Sequence, residues 1–578
     1  MAQPSSAASQ APPAAVPPGC KGVDDVDIVP DEGVSPLSRQ LLEGCIRRTF
    51  THGDRLTQLI RQGADPGAIG GLRVRGTSGR APYRWRYSCL SLAIDSPTNT
   101  PSPSASGTND SHVPVVLPPW SSRQLQRDIL NALIDGGADM PIMAAVRAGN
   151  LTAVEGLLAR QANVRGFRVM QLPRLQLSRP FPLSLSREYE ENLSPEYEEN
   201  LLSIFRRLLQ HDSTLAAERA AADGVNLVHL AVRSRRIFSQ LFIDQYLTLI
   251  TSHGADTTAT NNMGRTPLHW AALHGSPCVA DCLCRRLTAD DINGGLPHFT
   301  PLAEAADRLD HYIQLQQHGE ALGEGHSRRI RKYKTVIRVL LRGGATPSVT
   351  RLPTVTEEQR RCRQLVLAEY ATVLNELSDV TMSAINAALA PQRDHSTLLA
   401  RLLPLAPHHD GAHPHPSPSN MAFGPHEAEG IAWKIAAFLH EPSAAGAAID
   451  EYLIFDTRLR RRVKAAVGHF VKSTATQTSS NRDVVGGTRY ERQGDKRVKV
   501  TVLPLQCFAL RGSGGRVVGM TGVREVVHRA RLDEAISHGV AGVVKDFNEH
   551  LGDQDCQFEW GQLGRLSRTG LFVSLGIE

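Results

Sequence analysis

Lysine is nearly missing from this chain. Only nine of its 64 basic residues are lysine. With abundant alanine, glycine and proline, that bias points to a GC-rich coding sequence and says little about chemistry. No apolar run approaches the ~18 residues that a membrane span requires, so a membrane partner is not expected. The N-terminus has neither a basic start nor an apolar core, which argues against a secretory leader. Nine cysteines are scattered over 578 residues without a paired framework, so reduced thiols in a cytoplasmic setting are expected.

What is present describes a soluble globular chain long enough for several domains, with 41% apolar and 21% charged residues. The net charge of +6 is too mild for this length to imply nucleic acid as a partner.

One stretch organises the rest: Asn262-Met263-Gly264-Arg265-Thr266-Pro267-Leu268-His269-Trp270-Ala271-Ala272-Leu273-His274-Gly275. The Thr266 hydroxyl can cap free backbone N–H groups, and Pro267 stands where no N–H is needed, so a helix starts there. Leu268, Ala271 and Ala272 fall on adjacent turns, and the alanines let a neighbouring helix approach. Gly275 ends the helix. The segment resembles the T-P-L-H-x-A signature of ankyrin repeats, units of about 33 residues made of a turn and two helices.

Such units close with Gly-Ala-Asp. Gly63-Ala64-Asp65, Gly137-Ala138-Asp139 and Gly254-Ala255-Asp256 match fully, and Gly344-Ala345-Thr346, Gln161-Ala162-Asn163 and Thr288-Ala289-Asp290 match in part. Ala255 and Ala289 lie 34 positions apart, in register. Other gaps, 74 and 24 positions, require insertions and a truncated unit. About seven imperfect units are expected. Asn226 to Val232 opens one of them with an atypical finger, and Thr300-Pro301-Leu302 opens another, whose second helix is delayed to 335–341 by a charged insertion at 311–334. Residues 95–119, full of Pro, Ser, Thr and Asn, read as an inserted surface loop.

The expected fold class is therefore mostly α: an ankyrin-repeat solenoid with insertions, followed by a small α+β domain. In order, the domains are a disordered leader (1–35), the degenerate solenoid (36–348), a helical C-terminal cap (349–405) with a degenerate helix pair at 383–405, a His/Pro-rich linker (406–425) and an α+β domain of unknown family (426–578). Within the last, 497–502 alternates as a strand, and Gly512-Ser513-Gly514-Gly515 reads as a hairpin turn between strands at 506–510 and 516–520. A helix is expected at 523–551, with strands at 557–560 and 571–574. The polar, Ser- and Pro-rich leader resembles the N-termini of bacterial effectors exported by type III secretion into a host cell. An eight-residue tandem duplication, Glu188 to Pro195 and again from Glu196, reads as a replication accident on solvated surface.

The resemblance implies binding, not catalysis: ankyrin fingers and first helices form a concave protein-binding face. Its partner-reading positions fall here on Asn262, Met263, Arg265, Leu273 and His274, and in other units on Arg147, Ala148, Arg233, Ser234, Asp307 and Arg308. The arginines suit a protein partner with an acidic surface. In the same family pattern His269 makes an intramolecular hydrogen bond. No cofactor, metal or catalytic residue is assigned. His408, His409, His413 and His415 lie among prolines without a supporting shell, and Cys278, Cys282 and Cys284 lack a second ligand pair and read as core. Cys507, His528, His538, Asp546 and His550 supply the residue types of a Cys-His enzyme, the alternative function, in which the solenoid would recruit substrate; no spacing ties them together. The basic clusters Arg328 to Lys334 and Arg458 to Lys464 lack the aromatic interleaving of single-strand binders and read as solvated helix faces.

Overall fold

The computed structural model describes the chain apart from residues 1–15, 17–18, 78–85, 108–111, 167–168, 174–193, 233–237, 296–298, 318–322, 406–424, 454–456, 478–486, 494–495, 503–507, 548–552, 567–570 and 578. The described residues are mostly helical. They form two compact units, residues 1–283 with 322–327 and residues 284–321 with 328–578.

The first unit holds a sheet that the sequence did not announce. β1 (Val26–Pro30) lies inside the stretch expected to be disordered, and it pairs antiparallel with β2 (Ile69–Val74). Val26 and Ile28 are buried, the alternation of a strand with one face on a core; averaging composition over 35 residues concealed it. β3 (Arg86–Ser88) and β4 (Ser104–Ser106) flank β2, and β5 (His112–Pro114) adds to β4. Residues 95–119 are thus no surface loop. Two strands come from them, and Val115, Val116 and Leu117 are buried.

Their polar composition misleads because part of it is interior. The Asp95 carboxylate, fully buried, accepts from Gln126 Nε2 at 2.7 Å, Asn150 Nδ2 at 2.6 Å, Trp120 N–H at 3.0 Å and Arg123 Nη1 at 3.1 Å. Four donors compensate what desolvation costs this charge. Arg48, left-handed at φ 57° just past α1 (Pro36–Arg47), serves the same region. It donates to Pro118 O at 2.9 Å and Leu92 O at 2.7 Å and stacks on Trp120 at 4.6 Å. Burial lowers its pKa to about 10.

Helix pairs follow one another: α1 with α2 (Gly53–Arg61), α3 (Cys89–Ala93) with α4 (Arg123–Asp135), and α5 (Ile142–Ala148) with α6 (Leu151–Ala159). After α7 (Pro195–His211) come α8 (Leu227–Ala231) with α9 (Gln240–Ser252) and α10 (Pro267–His274) with α11 (Pro277–Cys284). The second helices pack in succession, α2 on α4, α4 on α6, α6 on α7 and α7 on α9.

The glycine-alanine closings have a common geometry. Gly63, Gly137, Gly254 and Gly344 sit at φ between 94° and 101°, and Gln161 takes the same role at φ 60°. In each case the following alanine N–H reaches back five residues, as from Ala64 to Leu59 O (3.0 Å) and from Ala255 to Ile250 O (3.0 Å). This is the Schellman closure. Thr288-Ala289-Asp290 differs: Thr288 caps the start of α12 (Ala289–Asn293), accepting from Asp291 N–H, and closes nothing. The first copy of the duplication lies largely outside the described residues. The second enters α7 as interior: Tyr197 is buried with its hydroxyl donating to Arg147 O at 2.8 Å, and Glu198 accepts from Ser239 N–H at 2.7 Å.

In the second unit, the insertion expected at 311–334 extends α13 (Pro301–Gln317) and begins α14 (Gly323–Arg342). After α15 (Thr346–Arg351), α16 (Glu357–Leu402) runs 46 residues as one helix, where a degenerate pair was expected from 383. Pro391 does not end it, because Ala384, Ile385, Ala388 and Leu389 keep an apolar stripe buried. Lys334 and Arg338 of α14 pair with Glu369 at 3.2 and 2.6 Å, and Arg342 pairs with Glu376. Against α16 pack α17 (Pro425–Phe438), α18 (Pro442–Tyr452) and α19 (Arg458–Gln477). The expected linker falls almost wholly outside the described residues.

β6 (Gly487–Gln493) and β7 (Lys496–Val502) make a hairpin, and β8 (Phe508–Arg511) with β9 (Val517–Thr521) make another, closed through Gly512 N–H to Arg516 O at 2.9 Å. The long C-terminal helix stops early: α20 (Val523–His538) ends at Gly539, φ 70°, not at 551. The strand expected at 557–560 does not form: residues 557–559 are irregular and Trp560–Gln562 make a 3-10 turn, so the next strand is β10 (Leu563–Leu566), and β11 (Phe572–Ser574) completes the sheet in the order β11-β10-β8-β9.

Candidate partner-binding surface

The surface is built from two fingers in the first unit. In the later one, Asn261 Oδ1 accepts from Met263 N–H (3.0 Å) and Arg265 N–H (2.9 Å), while Gly264 turns at φ 71°. Thr266 then caps α10 through a reciprocal box, its hydroxyl 2.8 Å from His269 Nδ1. In the earlier finger Ala220 N–H bonds Val225 O at 2.8 Å and Gly224 turns at φ 70°. Asn226 caps α8, with His229 Nδ1 2.7 Å from Asn226 Oδ1. The two units share one design with different letters.

They are also joined. Asn262 N–H donates to Asp223 O at 3.0 Å and Asn262 Nδ2 to Ala222 O at 3.1 Å. His229 Nε2 lies 3.0 Å from Arg265 O, and within the earlier unit Asn226 Nδ2 donates to Asp256 O of its closure at 2.6 Å. Burial pulls the His229 pKa below 6.5, partly opposed by the Arg265 carbonyl. The neutral ring therefore donates from Nε2 to the Arg265 carbonyl of the next unit while its Nδ1 accepts from Asn226 N–H at 3.4 Å. Trp270 packs edge-on against both His229 (5.4 Å) and His274 (5.5 Å).

The sequence-derived positions divide. Asn262, Met263 and His274 are exposed, Met263 by 67%, and Arg265 and Leu273 are half-buried. Arg147 is exposed at the end of α5, whereas Ala148 is buried and cannot read a partner. Arg233 and Ser234 lie outside the described residues. Asp307 and Arg308 sit on α13 of the other unit, exposed and half-buried respectively.

Arg147 also lines a cleft of about 790 Å³ whose walls include Met143, Leu172, Glu218, Arg219, Asp223 and Val225. Sequence reasoning missed this wall. Its signal was available: Gly224 precedes the capping Asn226 by two positions, as Gly264 precedes Thr266. Arg219 is engaged with Asp256 at 3.0 Å.

Of the enzyme-like residues of the second unit, His528, His538 and Asp546 are described, and each meets a different partner. Cys507 and His550 lie outside the described residues. His528 is fully buried, with Nε2 2.9 Å from Asp553 Oδ1, and burial lowers its pKa. His538 meets Glu534 at 3.3 Å, and Asp546 meets Arg531 at 3.5 Å. The basic clusters are not simply solvated either. Arg460 and Arg462 are buried, and Arg462 holds Asp533 at 2.9 Å while stacking on Trp560 at 4.3 Å. Among the described residues no group of His, Cys, Asp and Glu could hold a metal ion, and no helix is long and apolar enough to cross a membrane.

A finger, a capped first helix, a tight turn and a second helix define the class: a helix-pair repeat of the kind that serves protein interaction. Residues 263–290 match the family model for the ankyrin repeat. No curated protein matches the chain.

Proposed function

We propose that the chain is a protein-binding adaptor built as an ankyrin solenoid, and that its partner lies across the two bonded fingers and the adjoining cleft. The observation that carries this reading is the pair of fingers itself. They are locked to each other through Asn262, yet leave Met263 exposed beside a cleft lined by Arg147. Such a surface is pre-organised, so little ordering cost opposes binding. Arg147 and Arg265 favour a partner with acidic side chains, and exposed Met263 favours an apolar one.

The Ser- and Pro-rich residues 1–35 support a further step, in which the adaptor is a bacterial effector acting in the cytoplasm of a host cell. Fusing them to a reporter and measuring type III export tests that step separately.

The adaptor is tested by affinity capture with the full-length chain, followed by titration of the captured protein. The double variant Arg147→Glu/Arg265→Glu is expected to weaken binding tenfold or more, and Arg401→Glu, exposed at the end of α16, to leave it unchanged. Undiminished binding by the double variant would overturn the assignment of this surface.

A further inference from the structure

The cleft beside the fingers, about 790 Å³, does not end at Arg147. It shares Met143 and Gly166 with a second cleft of about 350 Å³, whose walls include Met140 and Arg165. The junction is open, since a Cβ added at Gly166 would meet no described atom within 4 Å. The two therefore make one groove. Half-buried Met140 and Met143 line it, and methionine adjusts to apolar groups of different shape.

Its charge is divided between the walls. Arg147, at the end of α5, is exposed and pairs with no carboxylate among the described residues. Arg165 adds a second guanidinium, with Asp212 3.5 Å away. On the finger side Glu218 is half-buried and pairs with no cation among the described residues. Asp223 beside it on that wall is exposed, one oxygen accepting from Val225 N–H at 3.2 Å. Arg219, next to Glu218 in the chain, is already held by Asp256 at 3.0 Å. Arg147 and Glu218 thus line one cleft without pairing with each other, and opposite charges held apart call for a ligand that carries both.

The depth decides what kind of ligand. A volume within the ~300–1,000 Å³ range buries most of what enters it. The convex face of a folded protein leaves such a groove unfilled, whereas an extended chain lies along it. The wall at Ala220, Ala221 and Ala222 puts nothing larger than methyl groups in the way of a main chain. We propose that the groove takes an extended peptide segment of the partner, carrying an acidic side chain for Arg147, a basic one for Glu218 and Asp223 and an apolar one for Met143. This rests on the protein-binding reading above and adds that recognition is linear and charge-polarised. A uniformly acidic segment meets Glu218 and Asp223, and a uniformly basic one meets Arg147 and Arg165.

Selection from a random linear-peptide library on the full-length chain tests this, with Arg147→Glu and Glu218→Arg selected in parallel. Peptides that combine an acidic, a basic and an apolar residue are expected to be enriched. A peptide so selected should lose tenfold or more in affinity for either variant. Arg147→Glu should exchange the enriched acid for a base, and Glu218→Arg the enriched base for an acid. Misfolding abolishes binding but does not invert a preference, and either variant decides should the other fail to fold. No enrichment, enrichment of uniformly acidic peptides, or the same preference in variant and natural chain would each overturn the proposal. A captured protein that Arg147→Glu/Arg265→Glu releases, with no linear peptide enriched, would overturn the groove and leave the adaptor standing.

Discussion

Residues 86–150 and residues 219–275 belong to the same unit, and buried polar side chains organise both. They differ in how far those side chains reach. In the later region the caps close over three residues, Asn226 with His229 and Thr266 with His269. In the earlier one, Asp95 gathers donors 25, 31 and 55 positions away. A contact over three residues leaves a motif that can be read; a contact over 55 leaves a lone aspartate in a polar stretch.

The comparison breaks most readily at Asp95. Replacing it with Ala removes the acceptor for four donors and strands the buried Gln126 Nε2 and Trp120 N–H, so a loss of about 3–5 kcal/mol is expected. Native-state hydrogen exchange at α4 and α6 measures it, with exposed Asp139→Ala as a control within about 0.5 kcal/mol. A loss near that of the control would mean that the long-range hub does not hold this region.

The same contrast explains what the sequence could tell. Helix starts and glycine closures are local and were legible, down to the left-handed Gly63, Gly137, Gly254 and Gly344. The finger before Asn226 was half-legible, because its spacing survives while its letters do not. The sheet of β1 to β5 was not legible: Val26 pairs with Val74, and three-residue strands such as β3 to β5 are too short to show a period. In the site, exposed Met263 and Arg147 followed from the family pattern, but the cleft depends on residues 166 and 171–173 meeting 218–223 and 225, which no local pattern records.

A middle-sized effect tests whether His229 links the units as geometry suggests. His229→Ala forfeits both the capping box and the bond to Arg265 O, for a loss of about 2 kcal/mol above pH 6.5. Because burial sets the folded pKa below 6.5, acidification through that value protonates the unfolded chain first, and stability falls with pH across the window down to the folded pKa. The variant lacks that term, so its deficit should shrink as pH drops. A deficit independent of pH, read from urea unfolding at several pH values, would show that His229 is not the neutral bridge. His528 carries the same sign in the second unit.

The smallest effect is the most discriminating, since it sets consensus against geometry. Asn226→Thr moves the earlier unit toward the letters of the later one and keeps a capping hydroxyl. It also deletes the Nδ2 donor that holds Asp256 O at 2.6 Å. If matching the motif were what stabilised the unit, the variant would gain stability. The bond to Asp256 predicts a loss of about 1 kcal/mol instead. The same unfolding measurement separates the two by sign. A loss would mean that the departure from consensus at Asn226 ties the two ends of one unit together, the capping side chain reaching the closure after α9 while it caps α8.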